Sequence, residues 1–428
     1  MRERMQAASS NRGTMRRAIV TLAAAIGLVW AAAGPAAAQK ITHLTGGHGD
    51  VWIEFLTEQA ALFRERTGIE IEILAMGSQQ AREQYTVMLA GGVVPDVTDF
   101  WGALAGDYIA LGYFTDLAPY AAREGYNLTE LYQAQTLEAL TYEGRLFSMP
   151  LYINPRTTYV NKDKFLESGL ALPADLGEAW TWEMQREAAK KLTRDLDGNG
   201  EFDQFGIDSV TGYNWWQFVH QAGGTLYDRV LFPTESRFNT EEVLVGTEYA
   251  RQLLLDDQVV GGNFAQGTAA LSFTPSAQIR WELDAAGMNW DFALHAKGPY
   301  GRAAMFGIGG MQISEMSRNK EAAWKWVEFI TLDVESVREY VRTNLRIPPL
   351  RQVQAEFPDL SPGLPANWRA LIDAVGQANS FTLPVITRNT SAVDAAINTH
   401  MNQVWSGRIP ATTALTLIHE QVSALLRQ

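Results

Sequence analysis

The hydrophobic pattern is clearest after residue 39, where it switches repeatedly between a period of two and a period near 3.6. Residues 40–45 read as a strand, followed by the turn-forming run Gly46-Gly47-His48-Gly49. Asp50 then reads as an N-cap. Trp52, Phe55, Leu56, Ala60 and Phe63 recur at helical spacing, which predicts an amphipathic helix over 51–66 that stops at Gly68. Ile69, Ile71 and Ile73 alternate with Glu70 and Glu72, the period of a strand. A second helix is predicted over 79–90, ending at Gly91-Gly92, and Pro95-Asp96 leads into a short strand closing near Phe100-Trp101. This order of strands and helices is that of an α/β layer with right-handed crossovers.

The pattern changes at residues 144–169. Met149-Pro150 and Asn154-Pro155 bracket four residues that are kept extended, because the residue before a proline is pushed out of helical geometry. Tyr152 and Asn154 lie inside the bracket, where one aromatic and one amide suit a strand passing through a ligand cleft; an ordinary strand–loop–strand is the plainer alternative. Further on, the pattern predicts a strand over 159–163 and a helix over 182–193. An acidic, turn-rich loop follows at 195–206, then helices near 214–222 and 240–256 and strands at 269–273 and 292–294. The strand at 305–313 contains Gly307, Gly309 and Gly310, which suggests close backbone approach. Asn319 caps a helix with apolar face Ala323, Trp326, Val327 and Ile330. Residues 346–349 form a second proline-stiffened crossing, and 350–428 are mostly helical. Crossings at 150–155 and 346–349, with the strand near 305, imply two lobes, each discontinuous in sequence.

Composition adds the compartment. Arg16-Arg17, the apolar run 18–33 and Ala36-Ala37-Ala38 before Gln39 have the layout of a cleavable export signal over 1–38, which places the remainder in the periplasm. The chain has no cysteine, which excludes thiol catalysis and cysteine-ligated zinc; a chain of 428 residues can bury a large core without disulfides. The net charge of −13, with no basic stripe, disfavours nucleic acid. The length suggests about two to three domains.

Few residues announce chemistry. Gly46–Asp50 join a strand end to a helix start, where ligands of open α/β sheets bind, but the run lacks a phosphate-loop lysine. The loop from Asp195 to Asp203 matches the start of a calcium loop, yet Gly206 stands where a bidentate glutamate belongs. It reads first as an acidic turn and second as a weak calcium loop, so neither metal nor cofactor is expected. Tyr213-Asn214-Trp215-Trp216 and Arg280-Trp281 are aromatic clusters that suit either a ligand cleft or a core. Arg280, Arg302, Arg346 and Arg388 could meet an anionic group or pair with surface acids. None of the six histidines forms a metalloprotease motif, and no carboxylate pair is singled out for glycoside hydrolysis.

In order and spacing, these blocks resemble the family 1 extracellular solute-binding proteins of ABC importers, the maltose-binding-protein-like class. The resemblance rests on Thr67–Ile71, Met88–Gly92 before Pro95-Asp96-Val97, Leu146–Pro150 before Tyr159–Asp163, and Lys190–Thr193 with Asp197–Gly200. It continues through Gln221–Gly224, Phe264–Leu271, Gly307–Gly310, Asn319–Val327 and Ser406-Gly407-Arg408. It implies two α/β lobes closing on a sugar or similar solute, with lobe 1 at 39–152 and 305–345 and lobe 2 at 156–302 and 350–428. Hinge crossings are expected near 153–155, 303–304 and 346–349. It also implies a monomer that works with a membrane permease. By resemblance, ligand positions fall at Gly47, His48, Asp99, Trp101, Asn154, Tyr213 and Trp215. Thr274 and Ser276 take the place of a sugar-stacking tryptophan, with Arg280 and Trp281 nearby. Tyr152, Gly307, Gly309 and Arg346 complete the expected site. A carbohydrate-active enzyme using the same cleft, or a partner of a membrane sensor, are the alternatives.

Overall fold

The computed structural model describes residues 39–47, 49–100, 102–273, 280–344, 346–383, 387 and 389–427. Residues 1–38, expected to be an export signal, lie outside the described residues, as do His48, Trp101, Thr274, Ser276 and Arg388.

β1 (Lys40–Gly46), β2 (Glu70–Met76) and β3 (Val97–Thr98) follow the expected order. β1 pairs in parallel with both β2 and β3. The helix Asp50–Thr67 between β1 and β2 buries Trp52, Phe55, Leu56, Gln59 and Phe63, the stripe its 3.6-residue period predicts. Gly68 ends it with φ 75°, a left-handed conformation suited to glycine, and its N–H returns to the Arg64 carbonyl. Gly49, rather than Asp50, holds the N-cap position, and Asp50 opens the first turn.

β4 (Thr141–Tyr142) and β5 (Arg145–Leu146) form a hairpin whose turn residues, Glu143 and Gly144, both have positive φ. Such a turn matches the twist of the flanking strands. β6 (Met149–Pro155) is the proline-bracketed segment, and it is a strand throughout. β7 (Thr158–Asn161), β8 (Phe205–Ile207), β9 (Ala269–Ser272) and β10 (Trp290–Ala293) build a separate sheet in the order β10-β7-β9-β8. β11 (Met305–Ile313) and β12 (Phe381–Leu383) return to the first sheet, ordered β12-β11-β3-β1-β2 with β6 paired to β11. The chain therefore leaves the first sheet through β6 and re-enters it through β11. The third crossing joins this pair where Ile153 N donates to the Ile347 carbonyl at 3.0 Å.

Polar groups buried at the join are satisfied within it. Gln312 is 1% exposed. Its Oε1 accepts from Thr98 Oγ1 and Phe100 N, each at 2.9 Å, and its Nε2 donates to Ser148 Oγ at 2.8 Å and the Phe100 carbonyl at 3.0 Å. One side chain thus ties β3, β11 and the lead into β6. Asp96 plays a similar part: it accepts from Thr42 N at 2.9 Å, Ser317 Oγ at 2.5 Å and Asn319 Nδ2 at 3.2 Å. Asn319 does precede the helix Lys320–Thr331, but its side chain serves Asp96 and makes no cap.

The second sheet carries an aromatic core. Trp182 stacks on Tyr249 with ring centroids 4.0 Å apart, and its indole donates to Gln221 Oε1 at 2.6 Å. The helix Asn214–Gln221 lies close to the helix Glu241–Arg251 because Gly246 faces it. A Cβ there would overlap the backbone of Phe218 and Val219. Arg302 is buried and donates to the carbonyls of His295 and Gly177, so its role is to bind loops together.

Candidate functional site

The site begins with the alternation of β6. Successive strand residues point to opposite faces. Ile153 and Pro155 share the buried face with Phe306 and Ile308 of β11, and Tyr152 and Asn154 share the other with Gly309 and Gly307, their pairing partners. Gly309 is needed because a Cβ there would run into the Tyr152 ring. At Gly307 the nearest atom to such a Cβ is Asn154 Cβ at 3.8 Å, an ordinary contact distance, so glycine leaves room for a methyl-sized group beside the amide. The glycine-rich strand is thus explained by one aromatic ring and one opening.

Three charged groups surround this face. The guanidinium of Arg346 lies 4.4 Å from the Tyr152 ring centroid, a cation–π arrangement. Burial raises the Tyr152 phenol pKa, and Arg346 partly counters it. One strand period beyond Asn154, Arg156 donates its backbone N–H to the Met305 carbonyl at 2.7 Å and its Nη1 to Asn214 Oδ1 at 3.2 Å. Burial lowers the Arg156 pKa, with only Tyr213 opposing that shift. Across the join, Tyr213 is 41% exposed and its hydroxyl stands 3.5 Å from Asp394 Oδ2 on the helix Thr390–Trp405. Asp394 has a raised pKa, chiefly because burial disfavours its charge.

The strand ends of the first sheet supply a second, closed cluster. Asp99 is buried and accepts from Thr45 Oγ1 at 2.5 Å, Trp52 Nε1 at 2.7 Å and Gly46 N at 3.3 Å. The Trp326 indole donates to His43 Nδ1, which leaves His43 Nε2 facing Asp99 at 3.6 Å. Asp99 therefore organises the end of β1, and its charge reaches the phenol of Tyr152. Gly47 follows with φ 80° and donates to the Met76 carbonyl at 3.2 Å.

Of the residues singled out from sequence, Tyr152, Asn154, Gly307, Gly309 and Arg346 come together at the strand crossing, with Tyr213 at the wall beyond Arg156. Trp215 does not join them. It is 1% exposed, with its ring against Trp216, Phe238 and Trp405, and serves the second core. Its helix turns the residue after Asn214 inward. Arg280 and Trp281 open the helix Arg280–Ala285. Arg156 and Asp394 were missed. The strand period of β6 could have given Arg156, whereas Asp394 is brought in by tertiary packing from far along the chain. In the acidic loop, carboxylate oxygens of Asp195, Asp197 and Asp203 lie within 4.8 Å of one another. They accept backbone N–H groups of Gly198, Gly200, Asn199 and Leu196, which makes the loop an Asx-type turn.

Fold and site together define a two-lobed solute-binding protein. The chain belongs to the bacterial extracellular solute-binding protein family, whose sequence profile matches residues 45–335. Solved structures share the fold at low identity. A Listeria monocytogenes ABC substrate-binding protein in complex with cycloalternan is 21% identical, with TM-score 0.71, covering 90% of this chain and 98% of that one. A Thermotoga lettingae solute-binding protein bound with α-D-tagatose is 20% identical, with TM-score 0.68, covering 91% and 100%. The maltose/maltodextrin-binding domain of Bdellovibrio bacteriovorus, bound to maltotriose, is 14% identical, with TM-score 0.65 and coverage of 91% and 100%.

Proposed function

We propose that the protein captures a sugar-like solute between its lobes and delivers it to the permease of an ABC importer. The observation that carries this reading is the room beside Asn154 and Gly307 at the strand crossing, next to the buried Tyr152–Arg346 pair, with the exposed Tyr213 ring and Asp394 beyond it. An aromatic ring covers the C–H face of a sugar, and amide, carboxyl and guanidinium groups meet its hydroxyls. The crossings near 153–155, 303–304 and 346–349 are the hinge. A solute that touches both lobes only when they are closed shifts the open–closed population toward closure. The bound sugars of the structural relatives support the solute class. Residues 1–38 direct export, with cleavage between Ala38 and Gln39, and the protein acts in the periplasm as a monomer. The test is thermal denaturation and calorimetry against neutral and charged sugars and polyols. Stabilisation by at least one is expected; turnover of a sugar with no stabilisation by any would contradict the reading.

A further inference from the structure

We infer that Arg156 anchors an anionic group on the solute, so that the cleft takes an acidic sugar, bearing a carboxylate or phosphate, in preference to a neutral one. This inference rests on the solute-binding reading above and specifies its substrate class.

Arg156 is half-buried at the hinge, and among the described residues it makes no ion pair with a carboxylate. Its contact through the side chain is to the amide oxygen of Asn214, which is itself buried and held by donating to the Ser209 carbonyl at 3.3 Å. A guanidinium carries five donors in a planar fork and stays charged, so one amide oxygen leaves most of that capacity open. Three other partly buried arginines are matched by carboxylates, and a fourth, Arg194, donates to the Lys191 carbonyl and Ser168 Oγ. Arg186 has Asp257, Arg338 has Glu335 and Glu356, and Arg251 has Glu248 and Asp256. A charge moved out of water without a partner is costly, and the burial-driven lowering of the Arg156 pKa is the same effect seen on protonation.

The nearby acids do not serve as that partner. Asp99 is enclosed by Thr45, Gly46 and Trp52, and Asp394 faces the Tyr213 hydroxyl. Arg346 likewise makes no ion pair among the described residues, but the Tyr152 ring face partly offsets its charge. Arg156 is thus the stronger anchor and Arg346 the second. With a net charge of −13, the whole chain repels anions at long range, so a preference for one must come from such a local site. A planar guanidinium fork donates two parallel hydrogen bonds to a carboxylate or phosphate, the strong form of such a contact.

The test is calorimetry on the mature protein with D-glucose, D-galactose and maltose beside D-glucuronate, D-galacturonate and glucose 6-phosphate. An acidic sugar should bind at least about tenfold more tightly than its neutral counterpart; the uronate and phosphate arms separate the two anions. Arg156→Gln should remove that preference, lowering the affinity for acidic sugars at least about tenfold more than that for neutral ones, and Arg156→Lys should restore part of it. Arg346→Gln should have the smaller effect. Thermal denaturation of each variant checks that it folds. Neutral sugars bound as tightly as acidic ones would overturn the inference and leave the solute-binding reading standing. An acid preference that survives Arg156→Gln in a folded protein would overturn the role of Arg156. Binding of none of the six would overturn the inference, because both anion classes are present among them, and the solute-binding reading would then stand or fall on the wider sugar and polyol panel.

Discussion

Single residues at the crossing separate stability from binding. Gly309 and Gly307 lie two apart on one strand, yet only Gly309 is backed by a ring. Gly309→Ala should cost about 1–3 kcal/mol of stability, because the new methyl displaces Tyr152 in a packed site. Gly307→Ala should fold with little loss, since its neighbour sits 3.8 Å away, but should weaken solute binding by filling the opening. Thermal denaturation and calorimetry on the pair distinguish the two effects. Asn154→Ala should lower affinity by roughly tenfold, the size of one hydrogen bond, with the fold intact. At this scale the sequence was partly legible. Tyr152 and Asn154 stood out because prolines on both sides fix their geometry. Trp215 and Trp216 could not be sorted into core or cleft, because a tryptophan next to an asparagine carries no sign of which side of its helix faces the other lobe.

Elements were the most readable level. The α/β order of residues 40–100, the strand 305–313 and the helix beginning at 320 follow from the apolar pattern; burial reproduces the 3.6-residue stripe in Asp50–Thr67, whereas β1 and β11 are buried on both faces and show no alternation. What periodicity cannot show is which elements share a sheet. β11 joins β6, β3 and β12, strands separated from it by long stretches of chain. That junction depends on Gln312, whose five hydrogen-bond contacts hold it where side-chain patterns alone would not. Gln312→Leu should therefore destabilise the protein by about 3 kcal/mol or more, because it leaves several buried partners unsatisfied. Denaturant unfolding measures this. A loss under about 1 kcal/mol would show that the junction is held by apolar packing alone.

The whole molecule couples two lobes, and its response to acid follows from histidines buried at and near their join. His220 stacks on Phe381 of β12, and His295 faces Thr158. Burial lowers the pKa of each from 6.5 to about 3. Below pH 6.5 the unfolded chain binds protons at these sites that the folded protein refuses. Stability is therefore full above pH 6.5 and falls as the pH drops toward 3, by up to about 1.4 kcal/mol per unit for each histidine. Asp208, raised by burial to about 6, works in the opposite sense: it favours the fold below its unfolded value and loses that contribution as the pH rises to about 6. Asp394, also raised by burial, acts with Asp208, but the two histidines are shifted further than either acid, so the melting temperature should fall from pH 6.5 to 4, and His220→Phe should flatten that fall. Capture of a solute requires the lobes to move about the crossing. Small-angle X-ray scattering, with and without a saturating concentration of whichever tested sugar calorimetry shows to bind, measures that motion. A smaller radius of gyration is expected with the sugar bound; an unchanged radius at full occupancy would rule out closure of the lobes on the solute.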